Sequence, residues 1–236
     1  MGDFSGRFAI GMPTYGDMES KTRASVMSVL KKYRNVHWVN VQGYSDVSRA
    51  RTEVAARLLA LPTKPEFHLW VDGDMVFNVD DVERLLTSIQ ERPDAGLVGS
   101  LYWNRNGTLF TAKDLQVPHG TEIPVGTTGE VIPYLGGGFG LTVVRSNVYD
   151  KLDAPNHPET GKHWFFPCLD DKGQPLSEDL SFCYRVHKAE LGVYLDTAVT
   201  PGHITKRPLW WWNGPEPVGP EKGTIMWAPV EKVAAE

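Results

Sequence analysis

Two aspartates follow directly after an apolar run in Phe67-His68-Leu69-Trp70-Val71-Asp72-Gly73-Asp74-Met75-Val76. The first five residues are typical of a buried strand, so both carboxylates should lie at its carboxyl end, where open α/β sheets bind ligands. Because Gly73 has no side chain, Asp72 and Asp74 can turn toward one cation or polyphosphate. A polar turn before the next helix explains the same residues equally well.

Strand and helix periodicities alternate on both sides of this segment. Strands that alternate with helices of ten or more residues predict βαβ units and a mostly parallel sheet flanked by helices, which is an α/β fold. The predicted elements are, in chain order, strand 7–12, helix 19–32, strand 36–42, helix 45–61, strand 67–71, a helix with Asp80 as N-cap, strand 95–102, strand 141–145, a short helix at 147–152, a helix that begins after Ser177 and is closed by a left-handed Gly192, and strand 193–196.

The remaining segments are irregular. Residues 104–131 are rich in Gly, Thr and Pro and predict loops with a small hairpin, which includes an extended piece at 108–113. The tail at 206–236 is rich in Pro and Trp. Since no repeat and no linker interrupts the chain, we expect one domain over residues 1–236.

The composition is typical of a globular protein, since 41% of the 236 residues are hydrophobic and 22% are charged. The net charge of −5 argues against tight, sequence-blind binding of nucleic acid. Cys168 and Cys183 form no disulfide framework or metal-ligand spacing, and Cys183 should be buried in a helix. With two cysteines and no disulfide framework, we expect a reducing, cytoplasmic setting. No apolar run is long enough to span a bilayer and no signal-peptide core opens the chain.

Further acids and a histidine are candidates for chemistry. The carboxylates of Asp72 and Asp74 suit Mg²⁺ or Mn²⁺, and a nitrogen ligand from His203 would favour Mn²⁺, although a lone histidine is more often structural. Glu178 and Asp179 either interact with the dipole of the helix that they open, or one of them is a general base.

Glycines, arginines and aromatic residues form the other candidates. The backbone of Gly136–Gly140 suits close approach by a sugar or phosphate, and it equally suits a surface hairpin. Neither a Walker loop nor a Rossmann glycine motif is present, which argues against a nucleotide triphosphatase or dehydrogenase. Basic residues at a helix start oppose the dipole, so Arg49 and Arg51 suggest a phosphate or carboxylate partner, although a solvated helix face explains one of them equally well. The aromatic residues Tyr102, Trp103 and Trp210–Trp212 either stack on sugar or base faces or pack in the core or an oligomer contact.

Six motifs together resemble the GT-A glycosyltransferases over about residues 7–205, and more narrowly the compact family-2-type enzymes, including stand-alone forms of phages and prokaryotes. The motifs are, in chain order, Ile10-Gly11-Met12-Pro13-Thr14-Tyr15, Arg49-Ala50-Arg51, Trp70-Val71-Asp72-Gly73-Asp74-Met75, Gly137-Gly138-Phe139-Gly140, Ser177-Glu178-Asp179-Leu180-Ser181-Phe182-Cys183 and His203. The resemblance implies a Rossmann-like GT-A domain, with a nucleotide-sugar-binding half over about 7–103 and a smaller acceptor and catalytic half over about 104–205.

The resemblance implies a role for each matching residue. The implied donor and metal residues are Pro13, Thr14 and Tyr15 at the nucleotide base, Arg49 or Arg51 at the nucleotide, Asp72 near the ribose and the metal, Gly73 between the two acids, and Asp74 and His203 on Mn²⁺ or Mg²⁺. The implied residues at the transferred sugar are Gly138 and Phe139 in the sugar and acceptor pocket, Asp179 as the base of inverting enzymes, and Glu178 beside it.

These roles imply metal-dependent, inverting transfer of a hexose from a nucleotide-diphosphate sugar, with UDP as the expected nucleotide. A retaining enzyme on the same fold and a catalytically silent sugar-nucleotide or glycan-binding module are the alternatives. The acceptor is open among a glycan, a protein, a lipid and a modified DNA base, and a homo-oligomer is open too. No transmembrane or polymerising segment follows the domain, so we expect no processive membrane synthase.

Overall fold

The computed structural model describes residues 2–102, 130–204 and the backbone of Ile225–Met226. The strands in these ranges are β1 (Phe8–Thr14), β2 (His37–Gln42), β3 (Phe67–Val71), β4 (Met75–Val76), β5 (Ala95–Ser100), β6 (Val131–Pro133), β7 (Leu141–Arg145), β8 (Asn156–His157), β9 (Gly161–Lys162), β10 (Gly192–Asp196), β11 (Gly202–Ile204) and β12 (Ile225–Met226). The helices are α1 (Ser20–Lys32), α2 (Val47–Leu59), α3 (Val79–Gln90) and α4 (Glu178–Lys188).

Seven strands form the central sheet, in the order β2-β1-β3-β7-β5-β10-β6. The strand β1 is parallel to β2 and β3, and β5 is parallel to β10. The strand β7 is antiparallel to both of its neighbours, β3 and β5, and β6 is antiparallel to β10. Five of the seven strands therefore share one direction, which confirms the predicted mostly parallel sheet.

Helices cover both faces of this sheet. Side chains alternate along each strand, so that Leu69 of β3 faces α1 and α3 while its neighbour Trp70 faces α2 and α4. Each face buries its own apolar cluster, and Cys183 of α4 lies in the second of them, as predicted. All five residues of β3 are buried, including the one polar side chain, His68, and the acidic residues begin at the turn that follows.

The start of α3 differs from the prediction. Asn78, and not Asp80, is its N-cap, because the side chain of Asn78 accepts a hydrogen bond from the backbone N–H of Asp81 while the Asp81 carboxylate accepts one from the N–H of Asn78. This reciprocal pair is a capping box. Asp80 is the second residue of α3, where its charge still complements the helix dipole.

The end of α4 also differs. Glu190, and not Gly192, takes the left-handed conformation, with φ of 59°, and the N–H of Leu191 donates to the carbonyl of Val186 in a Schellman-type closure. Gly192 is already the first residue of β10, where a Cβ would collide with the ring of Tyr194. The short helix expected at 147–152 is a single 3₁₀ turn, Ser146–Val148.

Two smaller sheets stand beside the central one. The strands β12, β11 and β4 form the first, in which His203 pairs with Met75, and β8 with β9 forms the second. The first sheet takes strands from both sides of the expected acceptor and catalytic half at about 104–205, whereas β8 and β9 lie within it. The hairpin expected near 108–113, Trp103 and Trp210–Trp212 lie outside the described residues. No helix in the described ranges is long and apolar enough to cross a membrane.

Candidate functional site

Backbone hydrogen bonds fix the turn that carries Asp72 and Asp74. The N–H of Asp72 donates to the carbonyl of Gly140 at 3.0 Å, and the carbonyl of Asp74 accepts from the N–H of Ile204 at 2.8 Å. A Cβ on Gly73 would lie 3.0 Å from the methyl group of Thr14, so only a glycine fits here without displacing that neighbour. The turn is therefore held from three sides, and both aspartates lie at the carboxyl end of β3 as the sequence predicts.

The small sheet brings His203 to Asp74. Its register places His203 opposite Met75, one residue beyond Asp74. The Nε2 atom of His203 lies 3.3 Å from Oδ2 of Asp74, and the two side chains retain exposed fractions of 12% and 17%. Two predicted metal ligands that lie 129 positions apart in sequence are thus neighbours in space.

The Asp74–His203 pair fits a divalent cation that is shared with a substrate. One carboxylate and one imidazole, both partly exposed, match the donor set of Mn²⁺, and the hard cations complete their coordination with substrate phosphates and water. In the described ranges no group of three or more His, Cys, Asp or Glu side chains is arranged to hold a metal. The described residues therefore supply two ligands and leave further positions on a cation open.

Asp179 lies in the first turn of α4, behind the N-cap Ser177, whose hydroxyl accepts from the N–H of Leu180. Its Oδ2 atom accepts a hydrogen bond from the N–H of Phe139 at 3.2 Å, and its side chain is 14% exposed. Burial raises the pKa of Asp179 to about 7, and the guanidinium of Arg51 opposes this rise. A carboxylate with a pKa near neutrality can both accept and release a proton at working pH.

Arg51 lies beneath the carboxylates, with only 3% of its side chain exposed. Its Nε atom is 3.0 Å from Oδ1 of Asp179, its Nη1 atom is 3.2 Å from Oδ1 of Asp72, and Glu178 lies 3.9 Å from Nε. Although burial alone would lower the pKa of Arg51, the three carboxylates raise it, so the guanidinium stays charged. One buried cation therefore joins the turn after β3 to the first turn of α4.

The two arginines of the predicted nucleotide contact lie on different faces of α2. Arg51 is buried, whereas Arg49 lies on the exposed face of α2. The helix begins with Asp46 as N-cap, which accepts from the N–H of Ser48, so an acid does complement the dipole there. The sequence carries a signal for the burial of Arg51, because it lies three, four and seven residues before Val54, Ala55 and Leu58, which are all buried.

The glycine-rich segment packs closely, but against side chains of the protein. A Cβ on Gly140 would lie 2.7 Å from Cζ of Tyr102, and one on Gly136 would lie 2.8 Å from Cβ of Cys183. The ring of Phe139 is buried edge-on against Trp70, while its backbone N–H faces Asp179. The segment is therefore not a surface hairpin. Of the two residues predicted to line the sugar and acceptor pocket, Gly138 is partly exposed and Phe139 is buried.

Tyr102 is a site residue whose position the sequence did not resolve. It is buried, its hydroxyl oxygen accepts from the N–H of Gly140 at 3.1 Å, and its ring meets the His203 ring edge-on with centroids 5.8 Å apart. Burial raises the pKa of its hydroxyl well above the ordinary value. Of the two interpretations given above for Tyr102, core packing is correct.

The predicted base-binding loop begins at the end of β1. Pro13 and Thr14 are buried in the strand, and the Thr14 hydroxyl lies 3.1 Å from Oδ1 of Asn40 and 3.2 Å from the carbonyl of Val41. Tyr15, the next residue, is 80% exposed. Of the three predicted residues, only Tyr15 has a side chain that is open to a ligand at the carboxyl edge of the sheet.

Comparison with known proteins finds similarity in structure but not in sequence. No protein family and no curated protein matches the chain. A197 from STIV superposes with a TM-score of 0.57 at 14% identity, over 86% of this chain and 87% of that one. GalNAc-T7, solved with UDP, GalNAc and Mn²⁺, superposes with a TM-score of 0.56 at 12% identity, over 89% of this chain and 45% of that one. The protein has a GT-A-like fold, as its motifs predict.

Proposed function

We propose that this chain, on its GT-A-like fold, is a metal-dependent inverting glycosyltransferase that moves a hexose from a nucleotide-diphosphate sugar, with UDP as the nucleotide, to an acceptor hydroxyl. One observation carries the proposal. A single guanidinium, that of Arg51, contacts both Asp72, at 3.2 Å, and Asp179, at 3.0 Å. The acid beside the donor site and the candidate base are therefore close enough to act on the two sides of one anomeric carbon.

The charge around the turn supports a cation-assisted donor site. Asp72, Glu178 and Asp179 surround the one guanidinium of Arg51, and Asp74 lies two residues from Asp72. A diphosphate would meet this surplus of negative charge, so its binding is favoured by a divalent cation held at Asp74 and its histidine partner. When bound there, such a cation stabilises the charge of the departing nucleoside diphosphate. The UDP and Mn²⁺ in the structure of GalNAc-T7 support this choice of donor and metal.

Asp179 is the proposed base. As the acceptor oxygen forms its bond to the anomeric carbon, the bond from that carbon to the diphosphate oxygen breaks, and Asp179 takes the hydroxyl proton. The Phe139 N–H and Arg51 hold the carboxylate in place before the reaction. Because its pKa is about 7, Asp179 is a stronger base than an exposed aspartate. Glu178 beside it orients donor or acceptor groups.

The nucleotide would lie over the carboxyl ends of β1 and β2. Tyr15, exposed at this edge, offers a ring face to the base, and the buried Thr14 shapes the floor beneath it. Arg49, exposed near the start of α2, is the arginine that can reach a nucleotide phosphate. Gly138 leaves room for the transferred sugar at the partly exposed part of its segment.

The test compares two aspartate substitutions in a transfer assay with UDP-sugars and Mn²⁺. Asp179→Asn should bind donor nearly normally and lose transfer, since the amide cannot take the proton. Asp74→Ala should lose metal-dependent donor binding as well as transfer. Asp150→Asn, an exposed carboxylate, is the matched control and should retain full activity. Turnover by Asp74→Ala in EDTA at the wild-type rate would reject the metal-dependent mechanism.

The anomeric configuration of the product, measured by NMR, decides the stereochemistry. Inversion is expected, because a single displacement with a base on the acceptor side inverts the carbon. Retention of configuration would mean a retaining enzyme on the same fold. If the wild-type protein binds UDP-sugar but neither transfers nor hydrolyses it with any glycan, protein, lipid or hydroxymethylated-DNA acceptor, it is a silent binding module.

A further inference from the structure

We infer that Arg51 is a positioning residue that holds the base Asp179 against the donor-side Asp72, and that it does not contact the nucleotide. The inference rests on the proposed function and adds a role that the motif resemblance does not give, since the motif implies an arginine at the nucleotide. Four observations support it, namely the geometry of the ion pairs, the burial of the guanidinium, the aromatic rings beneath it and the surplus of acids above it.

The guanidinium uses two different edges for two carboxylates. The edge formed by Nε and Nη2 faces Asp179, with 3.0 Å from Nε to Oδ1 and 3.3 Å from Nη2 to Oδ2. The edge formed by Nη1 and Nη2 faces Asp72, with 3.2 Å from Nη1 to Oδ1 and 3.5 Å from Nη2 to Oδ2. A planar fork can serve two carboxylates in this way, whereas the single ammonium of a lysine cannot.

The contacts are long for charge-assisted hydrogen bonds. The Nε and Nη1 atoms of Arg51 and the Oδ1 atom of Asp179 are buried, and their angles do not meet hydrogen-bond geometry, so these contacts are ion pairs. Active-site hydrogen bonds are often loose before the substrate binds and shorten afterwards. Movement of either carboxylate toward a bound donor would therefore be transmitted to the other through Arg51.

Burial excludes Arg51 from the substrate. Its side chain is 3% exposed, and its Cζ atom lies 5.4 Å from the ring centre of Phe139 and 6.0 Å from that of Phe165. Phe165 in turn stacks on Phe182 of α4 at 4.6 Å. These rings form a rigid floor, so the guanidinium cannot swing outward to a phosphate without leaving a cavity in the core.

The positive charge of Arg51 offsets the repulsion among the three carboxylates around it. Asp179 is faced by Arg51 from α2, by Asp72 from the turn after β3 and by Glu178 on its own helix. Titratable neutral side chains also face it, and these are Tyr102 after β5, Tyr134 after β6 and Cys183 of α4. Without the guanidinium, repulsion among the three carboxylates would keep a proton on Asp179 and push the side chains apart.

The test substitutes Arg51→Lys and Arg51→Met, with Arg57→Lys and Arg57→Met as matched controls on the exposed face of the same helix, where Arg57 pairs with Glu53 in an i,i+4 contact. Donor affinity is measured by calorimetry with UDP and Mn²⁺, and kcat, KM and the pH dependence of kcat/KM are measured in transfer. Arg51→Lys should keep its UDP affinity and KM while kcat falls about 100-fold, because the base is misplaced. In Arg51→Met the acidic limb of the pH profile should move upward by about 1–3 pH units.

Each result has a distinct meaning. Loss of UDP affinity with unchanged kcat in Arg51→Lys would place Arg51 on the nucleotide and overturn the inference, as would a pH profile and kcat equal to those of wild type. If Arg51→Met does not fold, the pH dependence of kcat/KM is measured on Arg51→Lys instead, because a single ammonium cannot serve both carboxylates, and a pH profile equal to that of wild type there would also overturn the inference. Absence of transfer and hydrolysis in the wild-type protein would instead reject the proposed function itself.

Discussion

Replacement of Asp179 by Asn should stabilise the folded protein at alkaline pH. Burial raises the pKa of Asp179 to about 7 in the folded chain, against an ordinary value of 3.8. Between these values the folded chain binds a proton that the unfolded chain has lost, so the stabilisation from this group is greatest below pH 4, declines as pH rises to 7, and is level above. Asparagine does not ionise, so in Asp179→Asn this position does not lower the free energy of unfolding as pH rises.

The magnitude follows from the shift in pKa. About 3 pKa units, at about 1.4 kcal/mol each, give ~4 kcal/mol between acidic and alkaline pH. The attraction of Arg51 is already contained in this shift, because it opposes the effect of burial. The 14% exposure of the side chain admits some solvent screening. At pH 8 we therefore expect Asp179→Asn to be about 2–4 kcal/mol more stable than the wild type, and near pH 4, where both side chains are neutral, about equal to it.

The assay is urea unfolding at several pH values from 4 to 8.5, in EDTA so that no cation occupies the site. Asp150→Asn, which removes a carboxylate from the exposed surface, is the control for the general effect of net charge. A wild-type protein that gains stability relative to Asp179→Asn as pH rises would refute the reasoning, because the ion pair with Arg51 would then outweigh burial. The expected result is a stabilised and inactive variant, which is typical of catalytic residues.

Three further outcomes are expected. Tyr149→Phe should lower the free energy of unfolding by about 1–3 kcal/mol in urea, because the buried Trp70 Nε1 that donates to the Tyr149 hydroxyl at 2.9 Å loses its acceptor; an unchanged midpoint would contradict this. Gly140→Ala should cost a similar ~1–3 kcal/mol, since the new Cβ would lie 2.7 Å from Cζ of Tyr102. Mn²⁺ should raise the Tm of the wild type but not that of His203→Ala, as measured by thermal denaturation.

The strand positions could be predicted because apolar runs end abruptly at polar residues. The strand Phe67–Val71 has the predicted bounds, since Asp72 ends the run, and Leu141–Arg145 is equally well bounded. The direction of the second strand could not be predicted, because no property of its five residues differs between a parallel and an antiparallel neighbour. It is antiparallel because the chain enters it from the glycine-rich segment at the carboxyl edge of the sheet.

Helix ends were less predictable, because several residues near each end can form the cap. Asn78, Asp80 and Asp81 can all accept a hydrogen bond from a backbone N–H, and only the backbone path selects Asn78. At the end of α4, Glu190 takes the left-handed conformation although it is not a glycine, whereas Gly192 lies in the next strand beside the ring of Tyr194. The glycine nearest to a helix end is therefore not always the residue that closes the helix.

At the site, the sequence predicts which elements carry the acids, but it does not predict the ion pairs with Arg51 that connect them. The end of a strand is a local feature, so Asp72 and Asp74 could be assigned to the carboxyl edge of the sheet, whereas the motif resemblance alone joined Asp179 to them. The sequence left Arg51 open between a phosphate or carboxylate partner and a solvated helix face, and it did not predict that the guanidinium is buried. Its partner Asp179 lies 128 positions away in sequence, so no local pattern reveals the pair. The helical spacing of Arg51 to buried residues such as Val54 was the available signal.

The charge balance makes binding of a diphosphate and of a divalent cation mutually dependent. The guanidinium of Arg51 contacts three carboxylates, those of Asp72, Glu178 and Asp179, and Asp74 adds a fourth in the same turn. A diphosphate alone increases this negative charge, whereas among the described residues a cation alone meets the carboxylate of Asp74 and the imidazole of His203. Each ligand therefore improves the site for the other, and the coupling must be reciprocal.

Calorimetry can measure this coupling in both directions. Mn²⁺ should raise the affinity for UDP by a factor of about 5–150, and UDP should raise the affinity for Mn²⁺ by the same factor. Asp74→Ala should abolish both effects together, since the coupling acts through the shared cation. Equal UDP affinity with and without Mn²⁺ in the wild type would show that the diphosphate is held by other positive charge, and that the acids around Arg51 do not control donor binding.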